Sequence, residues 1–100
     1  RGRRPVLVVS VDAINRQPLV VTVVPGTDAS NVAHDYPTNV RVTARETGLP
    51  ADTVFLCFQL RSLDPARFAD PRTRAISPAA RTPEAAMVRV EQSLRLVLGL

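Results

Sequence analysis

The side chains able to do chemistry are few, and most of them are cationic. All 13 basic residues are arginines, and a guanidinium holds a phosphate or carboxylate through two parallel hydrogen bonds without losing its charge. Arg4 stands before Pro5, which pushes it out of helical angles and fixes it, extended, at the mouth of a sheet. Gln59 and Arg61 put an amide and a guanidinium at the end of an otherwise apolar run. Thr27 and Asp28 follow Pro25-Gly26 in a short polar turn, and His34 sits in a polar loop. A single histidine and a single cysteine cannot supply a zinc site, even with the aspartates nearby. The four glycines are scattered, so no phosphate-cradling loop is present. His34 lacks a serine partner for a hydrolytic triad. Of Tyr36, Phe55, Phe58 and Phe68, three read as structural, which leaves no stacking platform for RNA bases. What remains is an arginine-centred site for an anion.

Composition sets the frame for that site. The chain has 100 residues, 45% hydrophobic and 22% charged, enough for one core and one compact domain. A formal net charge of +4 favours anionic partners, either nucleic acid or an acidic polypeptide. The apolar runs Val6–Val9 and Val20–Val24 are strand-sized, and neither a membrane span nor a signal peptide is expected. Cys57 cannot form an internal disulfide, so it reads as a small buried hydrophobe in a reducing compartment, the cytoplasm.

The elements that must position these side chains are mostly strands. Val6–Val11 opens as a strand buried on both faces, with Pro5 at its first position. Asp12–Pro18 is a polar connection. Leu19–Val24 is a second buried strand, stopped at Pro25-Gly26-Thr27-Asp28. Ala29–Thr38 is a loop, and Asn39–Ala44 alternates as a half-exposed strand.

The chain is organised around Val54–Asp64, bounded by Gly48-Leu49-Pro50-Ala51-Asp52 and Pro65. It reads as one long strand with Val54, Leu56, Phe58 and Leu60 on an apolar face and Phe55, Cys57, Gln59 and Arg61 on the other. Asp64-Pro65 starts a helical turn, Asp70-Pro71 breaks it, and Thr73–Ser77 forms a short last strand. Thr82-Pro83-Glu84 opens a helix whose apolar stripe is Met87, Val90, Leu94, Val97 and Leu98, with Gly99 as its stop. Strands first and one amphipathic helix last point to a mainly β fold with α, a small barrel or curled antiparallel sheet.

Four blocks in order carry a family resemblance. Gly2-Arg3-Arg4-Pro5-Val6-Leu7-Val8-Val9-Ser10 resembles the Gly-x-Arg-Pro-apolar signature of the MazF/PemK (Kid) toxins of toxin-antitoxin modules. Val23-Val24-Pro25-Gly26-Thr27 is similar to the family's apolar-Pro-x-Thr strand end. Cys57-Phe58-Gln59-Leu60-Arg61-Ser62-Leu63-Asp64 resembles its Gln-x-Arg-Ser/Thr-apolar-Asp block, and the terminal helix ending Leu98-Gly99-Leu100 also fits.

The resemblance implies a small SH3-like barrel with a C-terminal helix, a homodimer, acting as a cytoplasmic endoribonuclease on single-stranded RNA. It also implies inhibition by a MazE-like antitoxin with an acidic, extended tail. Arg4 and Thr27 match the catalytic pair, and Gln59 and Arg61 match positions that bind or support. No cofactor or metal is expected. The family's further N-terminal strand is expected to be missing from the given chain. Phe58 stands where some relatives carry an acid, which leaves the general base unassigned among Asp28, His34 and Asp35. Two other readings stay open: a CcdB-like gyrase poison, which shares the fold, and a non-catalytic antitoxin-binding module.

Overall fold

Pro25 and Gly26 do not end the second strand; they lie inside it. The computed structural model describes residues 4–16, 20–68 and 81–100, and in it β2 (Val21–Asp28) is the longest strand described. β1 (Val6–Val8) runs antiparallel along one edge, with Val6 opposite Pro25 and Val8 opposite Val23. On that edge the Gly26 N–H donates to the Pro5 carbonyl at 2.8 Å. Successive backbone groups face opposite edges, so Pro25, which has no N–H to give, leaves its gap on the other edge of β2. The expected stop thus occurs along one edge only.

That gap explains how the Val54–Asp64 stretch departs from a single strand. β4 (Thr53–Leu56) pairs with Gly26–Asp28, and β5 (Arg61–Leu63) pairs with Val21–Val23 on the same edge of β2. Between them Cys57–Gln59 coils into a 3-10 turn. Leu56 to Leu60 therefore stand opposite only Val24 and Pro25, and the chain bulges where the proline cannot donate. The expected alternation of faces is lost as well. Val54 and Phe55 are both buried, whereas Phe58 is 53% exposed.

β3 (Asn39–Val42) pairs along the outer edge of β4 and alternates between half-buried and buried, as its sequence predicts. The described strands follow the order β1-β2-β4-β3, with β5 also on β2. Among the described residues this is a five-stranded antiparallel sheet that does not close. The mainly β fold with α expected from the sequence, a curled antiparallel sheet with a terminal helix, is the one found. Among the described residues β1 is an edge strand, and Val8 is 42% exposed, so it is not buried on both faces.

The connections hold more structure than their composition suggests. The Asp12–Pro18 connection begins with a helical turn, α1 (Asp12–Asn15), secured by Asn15 Nδ2 donating to the Ser10 carbonyl at 2.8 Å. After β3, α2 (Ala44–Thr47) is a single turn with a capping box. Thr43 Oγ1 accepts from the Glu46 N–H at 3.0 Å, and Glu46 Oε1 accepts from the Thr43 N–H at 2.9 Å. Gly48, at φ 77°, ends it in the left-handed region. The turn after β5 forms as expected: Pro65–Phe68 is a 3-10 turn, and Asp64 Oδ1 accepts from the Ala66 N–H at 2.9 Å. The break at Asp70-Pro71 and the strand over Thr73–Ser77 lie outside the described residues.

The last helix, α3 (Glu84–Leu98), closes the core over β3 and the Cys57–Gln59 turn. Val90 and Ala86 are buried, with Met87, Leu94 and Val97 packed beside them. Leu98 is 53% exposed and falls outside the stripe. No side chain caps the start, and Pro83 rather than Thr82 holds the N-cap position, its carbonyl accepting from Ala86 and Met87. Gly99 stops the helix at φ 72°. Polar clasps fix the helix to the sheet: Ser93 Oγ donates to the Pro37 carbonyl at 2.8 Å, and Arg89 donates to the Arg41 carbonyl at 2.7 Å and to Glu46 Oε2 at 2.9 Å. Cys57, beneath the helix, is fully buried, and that burial pushes its thiol pKa up.

Candidate active site

The residue before β1 and the end of β2 meet at one open cleft of about 570 Å³. Arg4, Thr27, Asp28 and Asn31 give it a polar side, while Pro5, Leu49, Pro50 and Ala51 give it an apolar one. Arg4 reaches this place because the Gly26 N–H ties down Pro5, the residue after it. Thr27 reaches it because β2 continues through Pro25-Gly26, pairing Thr27 with Val54. A guanidinium and a hydroxyl over an apolar shelf suit a phosphodiester whose flanking base lies against Leu49-Pro50-Ala51.

Gly26 forms the floor. A Cβ at this position would lie 2.8 Å from Thr53 Cγ2 and 3.1 Å from both Phe55 Cε1 and Pro5 Cγ. Only glycine allows β1, β2 and β4 to approach this closely. Gly26→Ala should therefore destabilise the fold by about 1–3 kcal/mol through overpacking. Adding Thr53→Ser, which deletes the nearest methyl, should recover part of the loss in urea denaturation. No recovery would mean that the strain lies elsewhere.

Hydrogen bonds order the polar side. Asn31 Nδ2 donates to Thr27 Oγ1 at 3.1 Å. Asp28 Oδ1 accepts from the Ser30 N–H at 2.9 Å and from Ser30 Oγ at 2.8 Å, capping the 3-10 turn Ala29–Asn31. The backbone bond from Ser30, then its hydroxyl, hold the Asp28 carboxyl below its usual range. A carboxylate with two hydrogen bonds on Oδ1 and a raised acidity is a weakened proton acceptor. Its contribution to folding is present above its unfolded value of 3.8 and is lost as pH falls through the lower folded value. Asp28→Asn keeps an acceptor for Ser30 and removes the charge, so it should leave the shape of the pH profile of a reaction at this cleft unchanged through neutrality. A lost acidic limb in that variant, where the rate falls as a base becomes protonated, would identify Asp28 as the base.

Arg41 fastens the loop that follows. Its Nε donates to Asp35 Oδ1 at 2.8 Å, Nη2 to the Val32 carbonyl at 3.0 Å and Nη1 to the Ala29 carbonyl at 3.4 Å. The Ala29–Thr38 segment is thus pinned from the middle of β3.

The sequence-predicted residues separate into two groups. Arg4, Thr27 and Asp28 come together at the cleft. Gln59 and Arg61 do not line it; they pair with each other, Arg61 Nη2 donating to Gln59 Oε1 at 3.2 Å. Arg61 lies opposite Val23, four residues from Thr27 on β2, a separation of about 13 Å along a strand. His34 is an exposed loop residue outside the cleft lining. Asn31 and the Leu49-Pro50-Ala51 shelf complete the site without having been singled out. The available signal for Asn31 was Asp28 two residues before Ser30, an Asx-turn spacing that folds the chain back toward the end of β2.

Comparison with known proteins identifies the family of the chain. Residues 1–98 match the family described as PemK-like, MazF-like toxin of type II toxin-antitoxin system. Endoribonuclease MazF9 of Mycobacterium tuberculosis is 34% identical over 99% of the chain and 80% of its own length. Endoribonuclease MazF of Staphylococcus epidermidis is 32% identical, over 99% and 76% respectively. The crystal structure of MazE-MazF from Deinococcus radiodurans matches with a TM-score of 0.71 at 30% identity, covering 99% of this chain and 84% of that one. The chain belongs to the PemK-like, MazF-like toxin family of type II toxin-antitoxin systems.

Proposed function

We propose that the protein is a sequence-selective endoribonuclease toxin, a single domain that cuts single-stranded RNA at the cleft of Arg4 and Thr27. The observation that carries this reading is that these two side chains, 23 positions apart in the sequence, line one cleft. The named relatives are endoribonucleases, which favours RNA over gyrase as the target and activity over mere antitoxin binding.

The reaction uses the substrate's own nucleophile. The ribose 2′-oxygen attacks the adjacent phosphorus and loses its proton to a base, the bond from phosphorus to the 5′-oxygen breaks, and that oxygen takes up a proton from water as it leaves. Products are a 2′,3′-cyclic phosphate and a 5′-hydroxyl. Negative charge grows on the phosphoryl oxygens as the new bond forms. The Arg4 fork and the Thr27 hydroxyl are donors held where that charge develops. Arg4 acts by electrostatic stabilisation, since a guanidinium with a pKa above about 12 is a poor proton donor.

Gln59 and Arg61 bind or support RNA beyond the cleft, and His34 is assigned the same peripheral role. The partner that silences the enzyme is a MazE-like antitoxin whose acidic extended tail suits a surface of net charge +4. The active form is a homodimer in the cytoplasm, where messenger RNA is exposed. No helix of the described residues is long and apolar enough to cross a membrane.

The test is incubation with a mixed single-stranded RNA pool in EDTA, followed by sequencing of the new ends. Defined cuts with 5′-hydroxyl ends are expected. Intact RNA, together with stalled gyrase on DNA, would replace this reading with the gyrase one.

A further inference from the structure

We infer that Asn31 is a positioning residue for the reaction: its side-chain amide fixes the Thr27 hydroxyl as an acceptor and so aims the hydroxyl proton into the cleft, at the scissile phosphate. The inference rests on the assignment of Thr27 to the catalytic site. A threonine hydroxyl has one proton and can rotate it toward several acceptors. With Asn31 Nδ2 donating to Thr27 Oγ1 at 3.1 Å, a lone pair is occupied and the proton must point elsewhere. Thr27 and Asn31 both line the cleft, so the phosphate is the acceptor in reach.

The turn that carries Asn31 is fixed at both ends. Asp28 caps its start through Ser30, and the Val32 N–H donates to the Ala29 carbonyl at 3.1 Å. Arg41 holds the Ala29 and Val32 carbonyls on either side. A turn held this way does not have to reorganise when RNA arrives, which is what makes a donor effective in the transition state.

A double-mutant cycle under single-turnover conditions tests this, with Thr27→Val, Asn31→Ala and the pair, on the RNA sequence identified from the pool. Asn31→Ala should lower kcat about tenfold, the value of one hydrogen bond of about 1.4 kcal/mol. KM should change less than about twofold, because the hydrogen bond from Thr27 strengthens as charge grows on the phosphoryl oxygens, so most of its loss falls on the transition state. In the Thr27→Val background the same change should cost nothing further. Asn31→Asp keeps shape but reverses the bond, drawing the Thr27 proton onto itself, and should be at least as slow as the alanine variant; Asn31→Gln should recover part of the rate.

Wild-type kcat for Asn31→Ala, or losses that multiply in the pair, would overturn the inference while leaving Thr27 in place. Wild-type cleavage by Thr27→Val would instead overturn the site assignment itself. Circular dichroism melts of the four proteins separate misfolding from either outcome: a variant that melts with the wild type and cuts slowly has lost chemistry rather than structure.

Discussion

Arg4→Ala should slow RNA cleavage by about 10²–10³-fold, the usual cost of deleting one preorganised donor to a developing oxyanion. The side chain is exposed at the cleft edge, so the variant should melt with the wild type. Arg4→Lys should recover only part of the activity, because an ammonium keeps the charge but lacks the two-pronged contact. Full activity in Arg4→Lys would show that charge alone suffices. Full activity in Arg4→Ala would remove the guanidinium from the mechanism.

Phe55→Ala should produce the largest loss of stability, about 3–5 kcal/mol, as expected for emptying a buried aromatic site. Phe55 is 2% exposed and packs in the same core as Val90 and Ala86 of α3. It also pairs with Gly26 on one side and Val40 on the other, at the centre of the sheet. A loss of that size is a large part of the total stability of about 5–15 kcal/mol that small domains possess. The urea midpoint should fall with little change in slope; a shift worth less than about 1 kcal/mol would mean that the sheet and helix do not share this core.

The parts of this fold that were legible in the sequence are those governed by local pattern. The alternation of Asn39–Val42, the Asp64-Pro65 turn, the α3 stripe and its Gly99 stop all depend on neighbours a few residues away. The corrections arise where one side of an element behaves differently from the other. Pro25 breaks the ladder only on the edge its nitrogen faces, so β2 survives on the β1 side and the cost appears in its partner as the Cys57–Gln59 turn. Phe58 is turned outward by that same bulge, away from the face its apolar neighbours suggested. The Thr43-x-x-Glu46 spacing is itself a capping-box signature, hidden by the strand alternation that precedes it.

Of the candidate site, the sequence offered residues but not their placement. Arg4 and Thr27 rest on motif positions, and their convergence required β1 and β2 to pair with Pro5 against Gly26. Asn31 becomes visible only once Asp28 and Arg41 have shaped the turn around it. Gln59 ends the bulge and Arg61 lies beyond it, a displacement that no reading of Val54–Asp64 as one unbroken strand could supply.

An NMR titration bears most directly on whether guanidinium and hydroxyl serve one phosphodiester. The ligand is a short RNA of the cleaved sequence with 2′-deoxyribose at the scissile position, which binds but has no nucleophile. The Arg4 side-chain Nε–H and the Thr27 methyl signals should shift together along a single binding curve, with 2′-deoxy RNA remaining uncut. Shifts that follow two different affinities, or an Arg4 signal that moves while Thr27 stays still, would contradict a shared site.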